Sequence, residues 1–185
     1  EIPKRDWSSD VCSSDLTETL RKHCLATEAI MRSLALRMNQ EVELWGIAGL
    51  LHDLDFEYTR DNPEEHGRKT VEILAGFGLP QDALDAILRH NAESLGLERK
   101  TAFDYALTCA ETITGLIVAS ALVHPDRQLR SLNPKSVRKR MKSKDFARNV
   151  HRDHITLCEQ IDIPLMDFIE LSLTAMNTIS DSMGL

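Results

Sequence analysis

Apolar residues recur at helical spacing from Thr17 almost to the C-terminus, and no stretch alternates with the period of two that a half-buried strand requires. No Asn-Gly hairpin turn is present and no unit repeats at a fixed period. A chain patterned this way can bury its apolar stripes only by packing helix against helix, so an all-α bundle is expected. At 185 residues it fits a single domain. A domain of that size removes about 70% of its unfolded surface from water and needs no disulfides.

The punctuation gives the expected elements. A first helix runs from Thr17, a plausible N-cap, to Met38, with Leu20, His23, Cys24, Thr27, Ile30, Met31 and Leu34 on one stripe. A second covers Glu41 to Asp53. Pro63 opens a third that reaches about Ala75 and is closed by Gly76 and Gly78. Pro80 opens a fourth through His90, and Asn91 to Lys100 is a loop. Thr101 to Val123 is long and strongly apolar, as a central core helix would be, and Pro125 stops it. A short basic helix from Pro134, a helix over Asp145 to Ile161 and a last one over Pro164 to Met183 complete the chain. The domain reading is a tail at residues 1–16, a helical core at 17–124, and C-terminal helices at 125–185 packed on that core.

Glu1 to Leu16 stands apart. It is polar, lacks helical periodicity, and contains the near-repeat Trp7-Ser-Ser-Asp10 and Cys12-Ser-Ser-Asp15. It resembles a translated sequencing-adapter artefact at the end of a metagenomic reading frame, and on that reading the native N-terminus is missing. A natural disordered tail is the alternative.

Bulk properties exclude several function classes. The net charge of -7 argues against a nucleic-acid partner. Cys12, Cys24, Cys109 and Cys158 form no CxxC pair, which disfavours a zinc ribbon or thioredoxin motif and suits a reducing cytoplasm. No uninterrupted apolar run approaches the ~20 residues a bilayer span needs. The best candidate, Thr112 to Val123, is broken by Thr114, Gly115 and Ser120, so no membrane partner is expected. Ten basic residues between Arg127 and Arg152 form a local block. It reads as a solvated face, or as a surface that steers an anionic substrate.

The chemistry concentrates in Leu50-Leu51-His52-Asp53-Leu54-Asp55. A carboxylate at the end of an apolar helix is costly to bury unless it is paired, hydrogen-bonded or bound to a metal. Adjacent helical positions diverge by about 100°, so His52 and Asp53 reach one ion only where the helix unwinds. Alternatively, His52 caps the helix and Asp53 starts a loop. His23 lies on an apolar stripe and can be a core histidine or a ligand. His66 and His90 lie near helix ends. Glu111 falls inside the most apolar helix, where an unpaired charge is expensive, and a buried ion pair is its plainer explanation. Lys22, Arg68 and Arg89, each near a candidate ligand, read as solvent-exposed.

Taken in order, His23, His52-Asp53, His66, His90 and Glu111 resemble the HD superfamily of metal-dependent phosphohydrolases. The resemblance covers about Leu20 to Ala121. It is carried by His23-Cys-Leu-Ala-Thr-Glu-Ala-Ile30, Trp45-Gly-Ile-Ala-Gly-Leu-Leu-His-Asp-Leu-Asp55, Glu64-Glu-His-Gly67 and Ala110-Glu-Thr-Ile-Thr-Gly-Leu-Ile117. It implies an HD-like helical bundle holding one or two divalent ions (Mn, Fe, Ni, Co, Zn or Mg). By resemblance, His23, His52 and Asp53 match three of four signature ligands. His66 and His90 match the histidines of a second metal, with Asp53 bridging. The family's distal Asp is replaced here by Glu111; Asp104 could stand in only in a different helix register.

The implied activity is hydrolysis of a small phosphate ester or nucleotide by metal-activated water, with Asp53 and Asp55 as catalytic candidates. Asp55 would orient a histidine, or else sit in an exposed turn. The resemblance leaves open an HD-type di-iron oxygenase, or an altered HD protein that binds or regulates. A small phosphorylated substrate is the expected partner, and a homo-oligomer is compatible with the sequence.

Overall fold

A computed structural model describes residues 16–185. The expectations for residues 1–15, including Cys12, lie outside the described residues. Among the described residues every regular element is helical. The α-helices are α1 (Glu18–Arg37), α2 (Val42–Leu51), α3 (Phe56–Thr59), α4 (Arg68–Leu74), α5 (Gln81–Arg89), α6 (Ala92–Leu95), α7 (Ala102–Leu122), α8 (Pro134–Met141), α9 (Arg152–Thr156), α10 (Leu165–Asn177) and α11 (Ser180–Met183). Two 3-10 turns, Leu129–Ser131 and Leu157–Ile161, join the later helices.

Helix α7 is the axis. It opens with a capping box: Asp104 N–H donates to the Thr101 hydroxyl and Thr101 N–H to the Asp104 carboxylate. Leu107, Ile113, Leu116 and Ile117 are fully buried. Helices α1, α2, α5, α8, α9 and α10 all pack on it. Truncating one such Leu or Ile to Ala costs about 2–5 kcal/mol. By length and hydropathy Ala102–Leu122 could cross a bilayer. The sequence reading, which looked for an uninterrupted run, did not anticipate this. Most of the helix is buried by its neighbours, as a core helix is.

Helix α2 is apolar all round, and Leu44 to Leu51 are buried without exception. It lies so close to α1 that a Cβ on Gly49 would sit 3.1 Å from the Glu28 backbone, hence a glycine there. Trp45 stacks on Phe103 with ring centroids 4.8 Å apart, tying α2 to α7.

Several expected boundaries shift. Thr17 is the N-cap of α1, accepting from Leu20 N–H. The helix expected from Pro63 starts only at Arg68, because Gly67 adopts φ +87°, which breaks the turn before it. The loop over Asn91 to Lys100 contains the helical turn α6, ended by Gly96 in the left-handed region. Asp145 to Ile161 is not one helix: 145–151 is irregular, then α9 and a 3-10 turn follow. The Arg152 guanidinium gathers this irregular loop, donating to the carbonyls of Phe146, Ala147 and Val150. Arg152 is therefore a structural bolt rather than part of a solvated basic face. The expected last helix divides into α10 and α11 around Ile179.

Candidate metal centre

The site grows from the end of α2. After Leu51 the backbone tightens into i→i−3 hydrogen bonds, with Leu54 N–H donating to Leu51 and Phe56 N–H to Asp53. The tightening turns two adjacent side chains toward one point, so His52 Nε2 lies 3.4 Å from Asp53 Oδ1. Helix α1 brings His23, whose Nε2 is 3.2 Å from His52 Nε2 and 3.5 Å from Asp53 Oδ2. The turn before α4 brings His66 and the end of α5 brings His90. Their Nε2 atoms lie 3.3 and 3.4 Å from Asp53 Oδ1 and 2.9 Å from each other. One buried carboxylate is thus met by four imidazoles.

Each ring is oriented by what its other nitrogen touches. His52 Nδ1 donates to the Gly49 carbonyl at 2.8 Å, and His90 Nδ1 to that of Ile87. His66 Nδ1 donates to Asp55 Oδ1 at 2.8 Å. The Thr114 hydroxyl gives its own proton to the Glu111 carbonyl at 2.6 Å, so it accepts from His23 Nδ1 at 2.9 Å. With all four Nδ1 atoms carrying the proton, neutral rings present Nε2 lone pairs to the centre. Lone pairs facing one another at 2.9 and 3.2 Å repel unless a metal ion lies between them or, as the raised His66 pKa allows at the shorter contact, one ring takes up a second proton. A metal–nitrogen bond of ~2.1 Å sets ligand–ligand edges of about 3.0 Å in an octahedron and about 3.4 Å in a tetrahedron. The donor set fits a divalent ion on both counts.

The groups fall into two sets, His23–His52–Asp53 and Asp53–His66–His90, each with ligand atoms within 4.8 Å of one another. Asp53 is common to both. Imidazole and carboxylate donors suit Zn, Fe, Mn, Co or Ni. Burial drives the His52 pKa down to about 3, keeping that ring neutral. Burial would raise Asp53, but the surrounding histidines outweigh it and hold the carboxyl well below its usual range. His66 is lowered by burial and raised more strongly by Asp53 and Asp55, ending at about 9.

Asp55 is fully buried, which removes the exposed-turn alternative. Both of its carboxylate oxygens are turned to protein partners. One oxygen holds His66; the other accepts from Gly67 N–H at 2.8 Å and Thr70 N–H at 3.0 Å. Glu111 is not among the converging groups. Its Oε1 accepts from the Thr112 hydroxyl, and the residue lines the cavities beside the site. Asp104 is elsewhere, in the capping box and 3.3 Å from Arg89. Lys22 and Arg89 are half-buried and ion-paired to Glu18 and Asp85, not free in solvent; Arg68 is exposed.

Two cavities meet at Asp53, Phe56 and Glu111. The first, about 320 Å³, is polar, with His66, His90, Asn91, Glu93, His151 and His154 in its walls. The second, about 960 Å³, runs past His23 toward the C-terminus. His151 and His154 did not emerge from the sequence, although their i, i+3 spacing would put two imidazoles on one helical face. His154 Nε2 lies 3.1 Å from Glu93 Oε1, and Glu93 is clamped by Arg99 at 2.6 and 2.8 Å. Arg99 also donates to the His90 carbonyl at 2.9 Å. Asn91 donates to the carbonyls of Pro63 and His66, fixing the turn that carries His66. Burial pushes the Cys158 thiol up to about 12 and the Cys109 thiol well above its usual value, so neither offers a thiolate ligand.

A comparison with curated proteins and one with solved structures give no match. The family model described as HD domain matches residues 20–124, more than half of the chain, and that span holds every residue of the two converging sets. The order of residues, the all-helical fold and the match agree: the chain belongs to the HD domain family.

Proposed function

We propose that the chain is a metal-dependent phosphohydrolase that cleaves a small phosphate ester or nucleotide. The observation that carries this reading is the Asp53 carboxylate met by four imidazole Nε2 atoms whose partner nitrogens are already committed. HD domains are generally metal-dependent phosphohydrolases, which supports the same class. His23, His52 and Asp53 would hold one divalent ion; Asp53, His66 and His90 would hold a second. Bound there, such ions supply Lewis acidity, which lowers the pKa of water and offsets phosphoryl charge.

The protein's own groups do the rest. Thr114 and Asp55 hold His23 and His66 in their tautomers. His151, on the wall of the polar cavity, offers an N–H donor to phosphoryl oxygens, and His154, whose Nε2 is held by Glu93, stands beside it. Glu111, at the junction of both cavities, offers a carboxylate to an incoming water. Phe56 packs edge-on to His66, with centroids 5.6 Å apart, at the junction of the cavities.

A screen of phosphate esters and nucleotides with Mn-, Fe-, Ni-, Co-, Zn- and Mg-loaded protein tests the reading. Release of phosphate is expected; Asp53→Ala is expected to abolish turnover and metal content together, and His52→Ala to abolish turnover with the loss of one ion. Retained turnover in both variants contradicts it. The shared carboxylate between two ligand sets also suits a di-iron oxygenase, for which iron- and oxygen-dependent turnover without phosphate release would speak. An altered HD protein with a binding or regulatory role would instead hold less than about one ion per chain after metal add-back.

A further inference from the structure

The two cavities that share Asp53 differ in chemistry. The smaller offers imidazoles, an amide and a carboxylate. The larger is walled by Leu20 and Ala26 of α1, Val118 and Leu122 of α7, and Met183 and Leu185 at the C-terminus. Leu20, Ala26 and Met183 are buried, while Leu122 is half-exposed. Lys22, Glu57 and Arg60 also line this cavity and reach solvent, but hydrocarbon makes most of its lining surface. At its inner end are His23 and Asp53, two of the groups of the first ligand set.

A phosphoryl group at that inner end would leave its alcohol portion against hydrocarbon. A nucleoside placed there would set base and ribose polar atoms against this hydrocarbon stretch, where they lose water without gaining a partner. An aliphatic chain loses nothing and gains by leaving water. The volume, about 960 Å³, lies at the upper end of the ordinary range for small-ligand pockets.

We propose that the larger cavity binds the hydrocarbon part of the substrate, so that the preferred substrates are phosphate monoesters of medium-chain aliphatic alcohols rather than nucleotides. The proposal rests on the phosphohydrolase reading for the fate of the ester bond, but not for binding. Calorimetry on Mn-loaded full chain with methyl-, butyl- and octylphosphonate, which cannot be hydrolysed, isolates binding. Affinity should rise roughly three- to fourfold per added methylene, and octylphosphonate should bind more tightly than AMP. Initial rates should favour octyl phosphate over AMP at least tenfold in kcat/KM. Val118→Asp and, at a half-exposed position that tolerates polarity, Leu122→Asp should abolish the chain-length increment in protein whose helical circular dichroism matches wild type.

A flat series from methyl to octyl overturns the proposal, as does tighter binding of AMP or an increment that survives both substitutions. Chain-length-dependent binding without hydrolysis of either ester would uphold the cavity assignment and overturn the phosphohydrolase reading. Hydrolysis of AMP with a flat phosphonate series would do the reverse.

Discussion

Asp55 shows how much a single carboxylate can set. It needs both oxygens as acceptors, one for His66 and one for the N–H groups of Gly67 and Thr70. Asparagine has one acceptor oxygen, so Asp55→Asn must turn an NH₂ toward one of these donors. The ring of His66 then loses its tautomer, and metal affinity should fall about 10–100-fold with the fold retained, as read by metal titration and circular dichroism. A second test concerns Glu93. The Arg99 guanidinium pulls its pKa down to about 2, against burial. Because the folded value lies below the unfolded one, this stabilisation is present above about pH 4.5 and fades as pH falls toward 2. The Tm gap between wild type and Glu93→Gln should therefore narrow over that window; a constant gap would contradict it. The four central histidines and Asp53 were legible from their order along the chain. The fate of Asp55 was not, because its partners Gly67 and Thr70 carry no sequence mark. Glu111 is expected as a ligand by the resemblance, since it occupies the distal acidic position; here its Oε1 accepts from Thr112 and the residue lines both cavities beside Asp53.

At the scale of elements, the site depends on irregular backbone as much as on helices. The i→i−3 tightening after Leu51 is what lets adjacent residues converge, and the sequence announced it only as a need. The long helices α1, α2 and α7 were readable because their apolar stripes are long and their caps conventional. The stretch Asp145 to Ile161 was misread as one helix because its charges mimic a solvated face, while Arg152 actually spends its guanidinium on loop carbonyls. That loop leads directly into His151 and His154, which explains why the polar wall was invisible from sequence. Arg152→Ala should strand those carbonyls and cost about 1–3 kcal/mol in chemical denaturation. It should also lower turnover while metal content stays at the wild-type level. Loss of metal together with turnover would show that the loop supports the ligands themselves and not the wall.

The whole molecule is a set of helices gathered on α7, and that much follows from periodicity: an apolar helix of 21 residues has to be surrounded. The family's metal chemistry follows from residue order. The two cavities do not, because they are made by residues far apart in sequence, from Thr17 to Leu185 in the larger. Asp53 stands where those cavities and both ligand sets meet, so the central claim is that one carboxylate serves two ions. Metal analysis of wild type, His90→Ala and Asp53→Ala, each saturated with Mn and freed of excess ion, tests this directly. The account predicts two ions per chain in wild type, one in His90→Ala and none in Asp53→Ala. Full occupancy in Asp53→Ala would contradict it.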